Sequence, residues 1–269
     1  MISYRWRPAL DAANQAAVRG LLTECARVDS EAGFPRPDPD AGGGAMHLLV
    51  WLDRDRGGPA RPGPVLASYL RLAPEDGAAD YVVRPRLRSH GITTLLLEQM
   101  GTDPARWTDG SPAAVTVLAT GDHPAADRIC RRFAERGVRR TDQSWQLIRL
   151  LRAGQPIPAG IPTRPATPAE ARLHPQAGEF LVADGGAIWF DTAPSYLTDF
   201  GPAARISGVE AAAYDTMTGL LAAALGRIRE AGPRTAVIGI NAADEARGRA
   251  CRQLGFMHDR TDTQYTLSG

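Results

Sequence analysis

Between Asp80 and Thr94 the chain reads Asp80-Tyr81-Val82-Val83-Arg84-Pro85-Arg86-Leu87-Arg88-Ser89-His90-Gly91-Ile92-Thr93-Thr94. An apolar strand ends at Val83, Pro85 forbids its continuation, and an apolar helix begins near Ile92. Backbone N–H groups from Ser89 to Thr93 lack partners within that helix and turn towards the bend. A glycine there lets a phosphate approach the backbone, and the helix dipole favours its negative charge. Arg88 adds a cation. The expected chemistry is the cradling of a pyrophosphate by Arg88, Ser89, His90, Gly91, Ile92, Thr93 and Thr94, on a strand carrying Val82 and Val83. An ordinary strand-to-helix turn is the other reading of the same residues.

Other reactive residue types are scattered. Cys25, Cys130 and Cys251 form no CxxC pair, and His47, His90, His123, His174 and His258 lack ligand spacing, so no metal site is expected. Neither G-x-S-x-G nor H-E-x-x-H occurs. The chain contains no lysine, which removes Schiff-base chemistry and the phosphate loop of P-loop NTPases. Its 31 basic and 30 acidic residues leave a net charge of +1, which argues against a nucleic-acid partner. No apolar run approaches the roughly 18 residues of a membrane span, and Met1 to Trp6 is no apolar leader. A cytoplasmic protein without a membrane partner is expected. With 43% hydrophobic and 23% charged residues, the chain is globular rather than disordered.

The Val83–Thr93 segment resembles the acetyl-coenzyme A loop of the GNAT acetyltransferases, Val-x-Pro-x-x-Arg/Gln-x-x-Gly-x-Gly/Ala. Val83, Pro85, Arg88 and Gly91 occupy its positions, and Thr93 stands where Gly or Ala is usual. The resemblance implies acetyl-CoA or another acyl-CoA as co-substrate and the amine of a small molecule as acceptor. It also implies a backbone N–H near Val82 or Val83 that polarises the thioester carbonyl. A carboxylate on the strand entering the loop is implied as base, and Asp80 fills that place, with Glu75 and Asp76 in the turn before it. A solvated acid at a strand start is the other reading of Asp80. The family's proton-donating tyrosine lies four residues before a helix-ending glycine, a position held here by Phe133 and, in the second half, Cys251. Phenylalanine donates no proton, and Cys251 reads as a small buried hydrophobe. Water can still protonate a thiolate whose pKa is about 8.5–10. A non-acetylating descendant with a retained ligand cleft therefore stands as the alternative to acyl transfer.

The elements that must hold these residues occur twice. "WRPALDAA" (Trp6 to Ala13) recurs as "TRPATPAE" (Thr163 to Glu170), and the strand–turn–helix at Asp80 to Met100 recurs at Ile206 to Gly232. Bare apolar strands follow at Ala114 to Thr120 and Thr235 to Asn241, then helices ending at Gly137 and Gly255. Each copy closes on a further strand, "SWQLIRLL" and "TQYTL". Two GNAT units in one chain resemble the mycothiol synthase type of tandem acetyltransferase. The reading is an α/β fold with mixed sheet: a GNAT-like domain at 1–152, a proline-rich linker at 153–162, and a shortened, degenerate GNAT-like domain at 163–269.

The second copy departs in two ways. Arg7 to Val83 spans 76 positions but Arg164 to Val209 only 45, so about 31 residues are missing before its loop. They correspond to the helix Asp11 to Val28 and the loop Asp29 to Gly44, whose Pro/Gly-rich part suits either an acceptor lid or a flexible connection. Its loop has Ala211 for the proline, Tyr214 for the arginine and Met217 for the first glycine, with Asp215 unfavourable beside a phosphate. Coenzyme binding is therefore expected in the first copy alone, with the second packing on it as a structural partner.

Overall fold

A computed structural model describes residues 2–31, 37–40, 44–52, 64–108, 112–119, 121, 124–172, 178–198 and 200–268. The first half runs β1 (Ile2–Arg7), α1 (Ala12–Glu31), β2 (Met46–Leu52), β3 (Val65–Leu72), β4 (Ala78–Val83), α2 (Ile92–Met100), β5 (Ala114–Ala119), α3 (Pro124–Phe133) and β6 (Val138–Leu150). The second half begins β7 (Arg164–Pro165), α4 (Pro168–Ala171), β8 (Glu179–Ala183), β9 (Gly186–Phe190) and β10 (Tyr196–Thr198). It ends β11 (Gly201–Ala211), α5 (Tyr214–Ala231), β12 (Thr235–Asn241), α6 (Glu245–Gln253) and β13 (Met257–Ser268).

Two compact units result, one of Met1–Asp142 with Asp262–Gly269, the other of Gln143–Thr261. The sequence places the division at the proline-rich linker, with each half keeping its own last strand. The structure exchanges those strands. In the first unit β13 lies antiparallel to β5, from Thr263↔Ala119 to Ser268↔Ala114. In the second, β6 lies antiparallel to β12, from Thr235↔Leu150 to Asn241↔Ser144. Both strands carry a long polar run before a more apolar end, over 13 and 12 residues, so their pattern alone assigns neither to a partner.

The first unit's strands run in the order β1-β2-β3-β4-β5-β13. β4 and β5 are parallel, and the other neighbours are antiparallel. One face packs Leu48, Leu70, Leu72 and Ala79 against Ile92 and Leu96 of α2. The other packs Leu49, Leu66, Tyr69 and Val82 against Val18, Leu21, Leu22 and Cys25 of α1. Those four α1 positions follow the i, i+3, i+4, i+7 spacing of a single buried stripe.

The second unit orders its strands β6-β12-β11-β9-β8-β7, with β10 paired to β11. Its core is built on α5, through Leu220, Leu221, Ala224, Leu225 and Ile228. Where the first unit has the 20-residue α1, the second has the four-residue α4, closed by a reciprocal Thr167–Glu170 cap. The shortening inferred from spacing thus falls on the helix that covers one face of the first unit's sheet.

Candidate functional site

β4 and β5 pair only at Ala78↔Thr116 and Ala79↔Val117. Gly77 fixes that joint. Thr116 N–H donates to Gly77 O at 2.8 Å, and a Cβ on Gly77 would collide with the Ala114 carbonyl. Beyond Ala79 the strands part. Arg84 N–H donates back to Ala67 O at 2.9 Å. By alternation, the N–H groups of Asp80 and Val82 also point to β3, and those of Tyr81 and Val83 point into the gap. Of the two residues expected to face a carbonyl, Val83 points its N–H into the gap, whereas Val82 points its own to β3 and packs its side chain under α1.

The turn from β4 to α2 holds its shape by local bonds. After Val83 come one turn of 3₁₀ helix at Pro85–Leu87 and the bonds Arg88 N–H to Pro85 O and His90 N–H to Leu87 O. Ser89 and Gly91 adopt left-handed conformations, with φ of 64° and 78°. Gly91 is the N-cap of α2, and a Cβ built on it meets nothing within 4 Å. The first intrahelical bond is Leu95 N–H to Gly91 O at 2.9 Å, so the N–H groups of Ile92, Thr93 and Thr94 precede it. These three donors at a positive helix end, beside an open glycine, are the part of the loop suited to an anion.

Two loop side chains behave differently from expectation. The Arg88 guanidinium turns inward: Nε donates to Val83 O at 2.9 Å and Nη2 to Asp29 Oδ1 of α1 at 2.5 Å. Asp29 is buried, so Arg88 clamps the loop to α1 rather than offering its charge to the cradle. Arg84 makes a parallel clamp, from Nε to Leu66 O and from Nη1 to Glu24. Thr93, the departure from the family pattern, places Oγ1 3.2 Å from the hydroxyl of Tyr81. Burial raises the pKa of that phenol, which stays protonated and ties the first turn of α2 to β4.

Asp80 is the first β4 residue past the joint with β5 and is partly exposed. Its Oδ2 lies 3.6 Å from Nη1 of Arg71, directly opposite on β3. Arg71 faces His47 on β2, and His47 faces Arg7 on β1. His47 Nδ1 and the Tyr69 hydroxyl are 2.8 Å apart, and both side chains are buried. Burial first, then the Arg71 charge, lowers the His47 pKa and keeps its ring neutral. Sequence reading missed Arg7, His47, Tyr69 and Arg71, since no local motif links residues so far apart. A period-2 pattern with polar residues on a buried face was the available signal.

No phenol replaces the absent tyrosine on α3. Phe133 is buried among Leu97, Val138 and Leu267. Cys251 is buried in the second unit, and burial pushes its thiol up to about 12. Such a thiol is a weaker acid than an ordinary thiol at about 8.5, so proton transfer from it to a leaving thiolate is uphill. His123 and most of the Phe34–Gly44 segment lie outside the described residues. Among the described residues, no group of three or more His, Cys, Asp or Glu could hold a metal ion. No described helix is long and apolar enough to cross a membrane.

The matching place in the second unit is built otherwise. β11 ends at Ala211 and α5 starts at Tyr214, so Tyr214, Asp215, Met217 and Gly219 are helical residues, not loop residues. Tyr214 donates from its hydroxyl to Gln253 Oε1 of α6 at 2.9 Å. Gly219 makes room for the side chain of Ile161, which a Cβ there would strike. The glycine retained in this copy thus seats the linker.

No protein-family model matches the chain. A mycothiol acetyltransferase of Parafrankia sp. is 29% identical over 231 residues, 74% of this chain and 66% of that protein. Another, from Nocardia farcinica, is 28% identical and aligns with 100% of this chain and 99% of its own length. Among solved structures, a GCN5-related N-acetyltransferase of Sphaerobacter thermophilus superposes with a TM-score of 0.58 at 16% identity, covering 98% of this chain and 95% of that one. A tandem GNAT protein from the clavulanic acid biosynthesis pathway superposes with a TM-score of 0.54 at 16% identity, covering 99% and 98%. The parted β4–β5 pair, the turn into α2 and these likenesses agree: the chain has the tandem GNAT acetyltransferase fold, and its sequence is similar along its length to mycothiol acetyltransferases.

Proposed function

We propose that this protein is an N-acyltransferase that moves an acyl group from acyl-CoA, acetyl-CoA in the simplest case, to the amine of a small molecule. The coenzyme is assigned to the first unit. The observation that carries this is the difference between the two β-to-α turns: one leaves Ile92, Thr93 and Thr94 N–H facing an open glycine, and the other is absorbed into α5. Pyrophosphate would take the N–H groups of Ile92, Thr93 and Thr94 in the Ser89–Thr94 turn, and the thioester would enter the gap between β4 and β5. There Val83 N–H, or that of Tyr81, would polarise the carbonyl.

The free amine attacks that carbonyl, the C–N bond forms, and the C–S bond breaks. Asp80 at the mouth of the gap takes the proton that the amine must shed, directly or through a water. The departing thiolate takes its proton from water, since Phe133 of α3 carries no acidic proton and the Cys130 thiol of α3 donates to Val138 O. Orientation supplies much of the rate, as both reactants are held between rigid strands. The three free cysteines suit a reducing cytoplasm.

Calorimetry with acetyl-CoA tests the assignment. Gly91→Glu puts a carboxylate into the cradle and a side chain at φ 78°, and is expected to abolish binding. Tyr214→Phe, in the second unit, is expected to leave affinity unchanged. Retained binding in Gly91→Glu, or loss in Tyr214→Phe, contradicts the assignment.

A further inference from the structure

We propose that Arg7, His47 and Arg71 form an oxyanion subsite, so that the acceptor is an amine carrying a carboxylate or phosphate group. The inference rests on the acyl-transfer reading above and adds the chemistry of the acceptor. Its basis is a transverse row. Arg7↔His47, His47↔Arg71 and Arg71↔Asp80 are successive cross-strand pairs over β1, β2, β3 and β4. Alternation places all four on one sheet face, the face that also carries Leu49, Tyr69 and Val82.

The row is dipolar. Asp80 supplies its negative end at the parted strands, and two guanidinium groups flanking a neutral imidazole supply the positive remainder. The complementary ligand has its amine at Asp80 and its anion over Arg71 and His47. With strands about 4.8 Å apart, that anion sits roughly 5–10 Å from the amine. The Arg71–Asp80 separation of 3.6 Å exceeds a closed charge-assisted bond of about 2.8 Å. The Nε atom of Arg7 is buried and has no hydrogen-bond partner, an unmet donor at the cationic end. Tyr69 holds His47 from the same face.

Other charges face the row. Asp38 and Asp40, on the segment before β2, act on Tyr69, and Asp40 also acts on His47. Asp40 is paired with Arg19 of α1 at 3.1 Å, which offsets one of these two negative charges.

The test uses the full-length protein, acetyl-CoA and three acceptors of matched length: 4-aminobutanoate, 3-aminopropyl phosphate and butylamine. Release of the CoA thiol gives kcat/KM for each, and calorimetry gives acceptor binding without turnover. At least one anionic acceptor is expected to exceed butylamine about tenfold or more in kcat/KM. Which one leads tells carboxylate from phosphate. Arg7→Gln is expected to erase most of that preference, and Arg7→Lys to restore part of it with an unchanged melting temperature. Equal kcat/KM for charged and neutral acceptors, or a preference untouched by Arg7→Gln, overturns the subsite. Binding of the anionic amines, lost in Arg7→Gln but without acyl transfer to any acceptor, supports the subsite and overturns the acyltransferase reading instead.

Discussion

A chain ending at Thr261 is expected to lose both the stability of the first unit and its affinity for acetyl-CoA. Residues 262–268 complete that unit by pairing with β5, although in sequence they follow the whole second unit. Their removal strips Tyr265 and Leu267, each 8% exposed, from the core, and uncovers Val115, which is fully buried. It also removes the Tyr265 hydroxyl that donates to Asp127 Oδ1 of α3 at 2.7 Å. Two buried side chains at about 1.5–3 kcal/mol each are a large share of a domain's total of about 5–15 kcal/mol. The melting transition should fall by about 10 °C or more in differential scanning calorimetry. A chain of residues 1–152 lacks the same strand and is expected to be insoluble. Unchanged melting and affinity after truncation would show that β5 does not need its partner.

The second large effect is expected from Asp80→Asn. The amide keeps the size of the side chain but accepts no proton from an ammonium. Loss of a general base typically costs about 10²–10⁴-fold in turnover. Acetyl-CoA affinity should stay within about twofold, because the Ser89–Thr94 turn lies beyond the far end of β4. Steady-state kinetics with a productive acceptor, alongside calorimetry, separates the two quantities. An unchanged turnover number would leave Asp80 a solvated acid paired with Arg71.

Arg88 shows how far a motif can be read. Its presence, five residues after Val83 and three before Gly91, was legible as part of a phosphate-binding turn. Its side chain instead caps the Val83 carbonyl and meets Asp29, a residue 59 positions away in sequence. A motif reports which backbone path is available; where a long side chain ends depends on what tertiary packing brings beside it. Thr93 makes the converse point. It reads as a blemish in the pattern, and the structure supplies a partner in the Tyr81 hydroxyl.

The sequence by itself determined the repeated strand–turn–helix units and the apolar strands and glycine-ended helices that follow them, because strand ends, prolines, helix-ending glycines and apolar periods are local signals. It also determined which copy keeps an open turn, since Gly91 has no counterpart at Met217. Tertiary structure alone decided two things. One is that β13 serves the first unit and β6 the second, which depends on pairing between residues 144 to 154 positions apart for β13 and 85 to 97 for β6. The other is the row of Arg7, His47, Arg71 and Asp80, four residues from four strands. Both are matters of register. A strand's pattern says which face is buried, but only the ladder bonds to a distant neighbour say what stands opposite.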